Sequence, residues 1–159
     1  METIPWNAAA AGMAGVIAVV ITLVVIYALL LLQPHRTPFN PLYLAGSSLS
    51  MSVTPAYASG LVIILSAGIG YSIFISAVFT GFSLTSALPA WGALVGSAEW
   101  IMTGVTLGYM RLLNRTVRSG RLATPGPFML SYGPPTMLTL LAAHIVFGAV
   151  AGGVYSAIA

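Results

Sequence analysis

Two ionisable side chains set in apolar sequence, Glu99 and His144, are the residues of this chain best suited to chemistry. Glu99 lies in the run GALVGSAEWIMTGVTLG (92–108), and His144 lies in an apolar run close to the C-terminal end. A carboxyl group and an imidazole that meet in a low-dielectric site can exchange a proton. The pair therefore predicts either a proton-transfer site or a polar contact between two helices.

The composition is that of an integral membrane protein. Of the 159 residues, 58% are hydrophobic and 4% are charged, whereas a soluble domain carries about 25% charged residues. We expect a single transmembrane domain over 1–159. The chain has no cysteine, which excludes disulfides, thiolate metal sites and thiol catalysis.

Four apolar runs predict an all-α, four-helix membrane bundle. A helix needs roughly 20 apolar residues to cross a hydrocarbon core of about 30 Å. The predicted spans are about 8–32, 55–82, 90–113 and 136–158. Several prolines interrupt the connection at 33–54, and a Pro-Gly-Pro sequence interrupts the connection before the last span.

The arginines predict the orientation of this bundle. With four spans, the first and third connections lie on the same side, and together they carry all five basic side chains. The positive-inside rule makes that side cytoplasmic, with both termini outside, in the inner (plasma) membrane. These side chains set topology and can contact anionic lipid head groups or an acidic partner loop: Arg36, Arg111, Arg115, Arg118 and Arg121. If the third helix continues beyond the membrane, the spacing of 111, 115 and 118 places three of them on one face.

Depth brings Glu99 and His144 together. Glu99 is about eleven residues into the third predicted helix, or roughly 16 Å, and His144 is about nine residues into the fourth from the opposite side, or roughly 14 Å. A charge at that depth costs at least about 2.5 to 3.5 kcal/mol. Because the two helices are consecutive and antiparallel, a hydrogen bond between the two side chains satisfies both.

Such a pair has a structural and a functional interpretation. As a structural hydrogen bond between helices, it contributes about 0.6 kcal/mol to stability on average and rarely more than about 1.7 kcal/mol. As a proton relay it needs further polar groups toward each surface, and the third helix offers few beyond Thr103, Thr106 and Tyr109. The sequence therefore favours the structural interpretation.

Glycines spaced four apart predict close helix packing. With 17 glycines in the chain, roughly two such pairs arise by chance, so their number alone does not establish a dimer motif. Their positions form rows along the third and fourth helices, which indicates a seam between those helices or against a partner chain. The residues concerned are Gly92, Gly96, Gly104, Gly108, Gly148 and Gly152.

The sequence has few residues that could support catalysis, metal binding or cofactor binding. There is no aspartate, no HExxH, no nucleophile elbow and no phosphate-binding loop, so no catalytic residue is predicted. One Glu and one His are too few ligands for a metal. No cofactor is predicted, although His144 can serve as an axial ligand of haem or chlorophyll because Gly148, one turn on, leaves room for a flat macrocycle. The small, localised net charge of +3 does not indicate nucleic acid.

The C-terminal half resembles a loose group of uncharacterised four-helix bacterial and archaeal inner-membrane proteins. The similar segments are LGYM (107–110), PGPF (125–128), YG (132–133) and AHIVFG (143–148). The last helix of that group often reads A-H-L-V-[FY]-G followed by a small residue. The resemblance implies a four-helix architecture and draws attention to His144, and it implies no activity.

Two functions follow from the sequence. The first is a small accessory or assembly subunit of a larger membrane complex, respiratory or photosynthetic, whose partners are lipids and other membrane subunits. It is favoured because little chain lies outside the spans and the glycine rows suit helix docking. The alternative is a small transporter or proton-conducting channel in which Glu99 and His144 work as a pair. An enzyme has the least support.

Overall fold

The computed structural model describes residues 6–32 and 39–159, and this part of the chain is all-helical. Arg36 lies outside the described residues. In chain order the helices are α1 (Ala8–Leu31), α2 (Pro41–Gly46), α3 (Val53–Gly81), α4 (Leu88–Gly108), α5 (Met110–Leu113), α6 (Arg115–Arg118), a 3-10 helix (Pro127–Tyr132) and α7 (Pro134–Ile158). The predicted all-α class is confirmed.

The long helices are those of a membrane-embedded protein. Among the described residues, three helices are long and apolar enough to cross a bilayer: α1, α3 and α7. The fourth long helix, α4, has 21 residues and is less apolar, since it carries Glu99 together with several glycines and hydroxyl side chains.

The four long helices pack in the order α3, α1, α7, α4. At the start of α1, the Trp6 indole N–H donates to the Ser76 hydroxyl at 3.1 Å, and the backbone N–H of Asn7 donates to the Tyr155 hydroxyl at 3.2 Å. The start of α1 therefore meets the ends of α3 and α7, and both pairings are antiparallel. The consecutive helices α3 and α4 contact each other much less than α4 contacts α7.

Glycines bring α4 and α7 into backbone contact. A Cβ atom on Gly92 would overlap the carbonyl oxygen of Gly148, and a Cβ on Gly148 would overlap that of Gly92. Gly96 lies in the same way against the His144 carbonyl, and Gly152 against the Leu88 carbonyl. No side chain larger than hydrogen fits at these positions without moving the helices apart.

The remaining glycine pair packs elsewhere. A Cβ on Gly104 would overlap the ring of Phe128, and one on Gly108 would lie 3.1 Å from Pro127. Both neighbours belong to the 3-10 helix, whose Phe128 ring also packs against Trp100 with the ring centroids 4.9 Å apart. The three glycine pairs thus serve two different contacts within the chain.

The third predicted helix, 90–113, is not continuous. Helix α4 ends at Gly108, and after the four residues of α5 the chain becomes extended at Asn114, with φ −115° and ψ 119°. Asn114 then caps α6, because its side-chain oxygen accepts from the N–H groups of Thr116 and Val117. The single helical face expected for Arg111, Arg115 and Arg118 is therefore wrong.

Asn114 also ties the first connection to the third. Its fully buried side-chain amide donates to the Leu44 carbonyl and to the Ser47 hydroxyl, each at 2.9 Å. The Thr116 hydroxyl donates to the Ser47 carbonyl at 3.0 Å. Because buried polar groups cost stability unless they are paired, this satisfied network holds both connections at the same end of the bundle.

We predict that Gly148→Ala destabilises the protein by about 1 to 3 kcal/mol, the usual cost of overpacking a tight contact. The matched control is Gly70→Ala in α3, where an added Cβ meets nothing within 4 Å. That control should be neutral or stabilising by up to about 1 kcal/mol, since alanine is the better helix former. Thermal unfolding in mild detergent measures both. Equal effects of the two substitutions would contradict the tight α4 and α7 contact.

Candidate functional site

The candidate site is the pair formed by Glu99 of α4 and His144 of α7. The Glu99 Oε2 atom lies 2.7 Å from the His144 Nε2 atom. Glu99 lies near the middle of α4, one turn beyond Gly96, and Gly96 packs on the backbone of His144 itself. The glycine contact therefore sets the distance between the two helices at the level where the side chains meet.

The second nitrogen of the imidazole determines where the proton of the pair is held. His144 Nδ1 lies 2.7 Å from the Leu140 carbonyl oxygen. Since a carbonyl oxygen can only accept, Nδ1 carries a hydrogen, and Nε2 is left to share one proton with the Glu99 carboxyl group. That shared proton gives either a carboxylic acid beside a neutral imidazole or a carboxylate beside an imidazolium. Both states have zero net charge.

Thr103 completes the polar chain. Its hydroxyl donates to Glu99 Oε1 at 2.6 Å, from one turn further along α4. The hydrogen bonds thus run from the Leu140 carbonyl through His144 and Glu99 to Thr103. Of the other polar residues expected along a relay, Thr106 donates to the Met102 carbonyl instead, and Tyr109 lies exposed at the end of α4.

A cavity of about 300 Å³ opens beside the pair. Glu99, Thr103 and His144 form its polar wall. Helices α1, α3 and α7 supply the apolar walls, which consist of aliphatic side chains and the aromatic rings of Tyr71 and Phe147. A volume of this size lies at the lower end of the range for small-molecule sites, which are concave and largely apolar with a few placed polar groups.

Thr22 of α1 adds a polar group that sequence reasoning missed. Its side chain lines the same cavity, is only 9% exposed, and its hydroxyl has no hydrogen-bond partner within the described residues. Buried hydroxyls are normally paired. The sequence signal was a lone hydroxyl residue in the aliphatic run VIAVVITLVVI (16–26), which gives no indication that it lies at the wall of a cavity.

Glu99 also lines a second space, next to the cavity. A surface groove between α3 and α4 is lined by Glu99 and Tyr71, the two residues that also line the cavity. The Tyr71 hydroxyl donates to the Val95 carbonyl at 3.0 Å and so bridges the two helices. The Glu99 side chain is 25% exposed and that of His144 14%, which makes the carboxyl group the more accessible partner.

Of the other predicted site residues, four glycines lie beside this pair, and the described arginines lie away from it. Four arginines are exposed on the connection between α4 and α7: Arg111, Arg115, Arg118 and Arg121. The structure brings Gly92, Gly96, Gly148 and Gly152 together in the seam that supports the pair, and it places Gly104 and Gly108 against the 3-10 helix.

In this structure neither ring nitrogen of His144 is free to serve as an axial ligand of haem or chlorophyll. Both of its ring nitrogens are engaged, one with the Leu140 carbonyl and one with Glu99, each at 2.7 Å. A metal at the centre of a macrocycle would have to displace Glu99 from Nε2 and leave the carboxyl group without its partner. Within the described residues, no group of three or more His, Cys, Asp or Glu side chains could hold a metal ion.

Comparisons of the chain with protein-family models, with curated proteins and with solved structures found no match. The resemblance in the C-terminal half to four-helix inner-membrane proteins therefore stays a prediction. Function has to be argued from the site itself.

Proposed function

We propose that α4 crosses the membrane together with α1, α3 and α7. Its 21 residues extend about 31 Å at 1.5 Å per residue, enough for the hydrocarbon core. Large apolar side chains point outward from its middle, with Leu94 60% and Met102 70% exposed. Glu99, in the middle of this span, is matched by His144 of α7.

With four spans in the inner (plasma) membrane, both termini lie outside, and the arginine-bearing connections lie in the cytoplasm. It is supported by the exposed arginines after α4 and by the Asn114 network, which joins the connection before α3 to the connection after α4. Positive side chains gathered at one end of a bundle are what the positive-inside rule describes.

We infer that the protein is a small transporter that conducts protons through Glu99 and His144. The observation that carries this function is that Glu99 borders two spaces, the cavity beside His144 and the groove between α3 and α4. The cavity extends toward Pro41 and Ile26 at the end of the bundle near α2, and the groove extends toward Phe74 and Val78 in the opposite half. A carboxyl group that borders both spaces can exchange a proton with water that enters either one.

The pair supports proton transfer in simple steps. When a second proton arrives from one space, Glu99 and His144 are both protonated. Loss of one proton to the other space then restores the state with one shared proton. Thr103 holds one carboxyl oxygen and Leu140 holds Nδ1–H, so the reacting oxygen and nitrogen stay aligned during the exchange. General acid and base groups act at hydrogen-bond distance, and the 2.7 Å separation meets that requirement.

An accessory subunit of a larger membrane complex is the second candidate. It is favoured by the groove between α3 and α4, where these consecutive helices make few contacts and where Phe74 and Leu94 are more than half exposed. The glycine rows no longer support docking of a partner, because those glycines pack within the chain. A partner subunit would therefore contact large apolar side chains.

For the proton-conducting function, we predict that Glu99→Gln lowers proton flux into proteoliposomes at least tenfold. The amide keeps the shape of the side chain but cannot carry the proton, and His144→Leu should have the same effect. Flux is measured with an internal pH indicator under an imposed potential. The matched control is Thr106→Val on the exposed side of α4, which should leave the flux unchanged. Equal flux in Glu99→Gln and in the unaltered protein would exclude a relay through this pair.

Native mass spectrometry after mild solubilisation distinguishes the transporter from the accessory subunit. We predict that it detects copies of this chain with bound lipid and no second kind of subunit at a fixed ratio. This outcome is expected of a transporter that acts as a monomer or as a homo-oligomer. Reproducible co-purification of different membrane subunits at fixed ratio would favour the accessory role and count against the proton-conducting one.

A further inference from the structure

The cavity beside Glu99 has polar groups that its own walls leave partly unused. We propose that it binds a protonated lipophilic amine, whose ammonium group takes the place of the proton that Glu99 and His144 share. This inference deepens the proposed function and rests on it for that shared proton. It names the class of ligand that competes with the proton at the same carboxyl group.

The polar wall calls for hydrogen-bond donors in the ligand. Each oxygen of a carboxylate can accept two hydrogen bonds. Glu99 Oε1 has one donor in Thr103 and Oε2 has one partner in His144, so each oxygen retains room for another donor. An ammonium group supplies up to three N–H donors to these acceptors.

The charges on the walls favour a cation over an anion. The titratable side chains that line the cavity are Glu99, His144 and Tyr71, and none of the arginines in the described part of the chain is among them. An anionic ligand would face the carboxylate at close range with only His144 to offset it. A neutral alcohol could fill the space and would form fewer of the available hydrogen bonds.

The remaining walls fit an apolar body. Aliphatic side chains from three helices surround the space, among them Val19, Leu23 and Ile64, and the rings of Tyr71 and Phe147 complete it. Aromatic rings also attract cations through their π faces. A compact hydrocarbon cage with one amino group therefore fits within the volume of about 300 Å³ and matches the distribution of polarity.

Charge balance couples binding to release of a proton. Before binding, the pair holds one shared proton and no net charge. If the ammonium ion binds the Glu99 carboxylate while His144 keeps that proton, the cavity gains a full positive charge, which is costly in a low-dielectric interior. If His144 gives the proton to bulk water, the site again has zero net charge, with a carboxylate, an ammonium ion and a neutral imidazole. One proton thus leaves for each cation that binds, and no covalent bond to carbon changes.

The test uses the full-length protein in mild detergent with adamantylamine as the probe and adamantanol as its neutral counterpart of the same shape. We expect the amine to bind at least tenfold more tightly than the alcohol, measured by thermal stabilisation across a concentration series. In weakly buffered solution at a pH where the free amine is protonated, a pH indicator should report about one proton released for each amine bound. Equal binding of amine and alcohol, or binding without proton release, would overturn the proposal.

Substitutions locate the binding within the cavity. Glu99→Gln should reduce amine binding to the level of the alcohol. Ala67→Leu places a larger side chain at the exposed edge of the cavity and should weaken both ligands without touching the pair. Thr106→Val, outside the cavity, should change neither. If Glu99→Gln fails to fold, the Ala67 variant still decides, since unchanged affinities for both ligands in that variant would place the ligand elsewhere.

The two proposals fail separately. Proton flux that depends on Glu99, without any preference for the amine, would remove the ligand and leave the proton-conducting function. Binding of the amine with proton release, in a protein that conducts no protons into liposomes, would retain the ligand site and remove conduction.

Discussion

The backbone contact between α4 and α7 is the constraint on which the rest of this bundle depends. Gly92 and Gly148 face each other so closely that neither tolerates a Cβ atom, and Gly96 packs on the carbonyl of His144. At the separation that these contacts set, Glu99 and His144 meet directly at 2.7 Å. The glycines therefore act on the site indirectly, by setting the distance across which its proton is shared.

Sharing one proton resolves the cost of placing these two groups among apolar helices. An isolated charge in a bilayer is expensive, and a lone buried polar group is also unfavourable. Because Leu140 fixes the hydrogen on Nδ1 and Thr103 donates to the carboxyl group, the pair is satisfied and has zero net charge in either tautomeric arrangement. This neutrality makes the pair acceptable as a structural contact. It also allows an incoming cation to exchange for the proton without a change in total charge.

The fold and the meeting of the pair were predictable from the sequence to a large extent. The apolar runs indicate the long helices, and helical rise places Glu99 and His144 at similar depth on consecutive antiparallel helices. Local chemistry at Asn114 was not foreseen. Its side chain makes more hydrogen bonds with the backbone in an extended conformation than a continued helix would allow, which breaks the expected face of arginines.

The cavity could not be predicted, because it depends on which helices are neighbours in space. The chain order suggests that α3 packs on α4, whereas α1 packs between α3 and α7 and brings Thr22 toward Glu99. No periodicity in α1 distinguishes Thr22 from the aliphatic residues around it. The same arrangement leaves α3 and α4 with few direct contacts, and so exposes Glu99 to a second space. These features are properties of packing, and they decide which functions the pair can support.

A double-mutant cycle on Glu99→Gln and His144→Leu tests most directly whether the two side chains satisfy each other across the α4 and α7 seam. Unfolding free energies of the two single variants and the double variant would be measured in mild detergent. The shared proton predicts a coupling of about 1.5 kcal/mol or more, above the average for hydrogen bonds between membrane helices. Effects that add to within about 0.5 kcal/mol, as for independent sites, would contradict it.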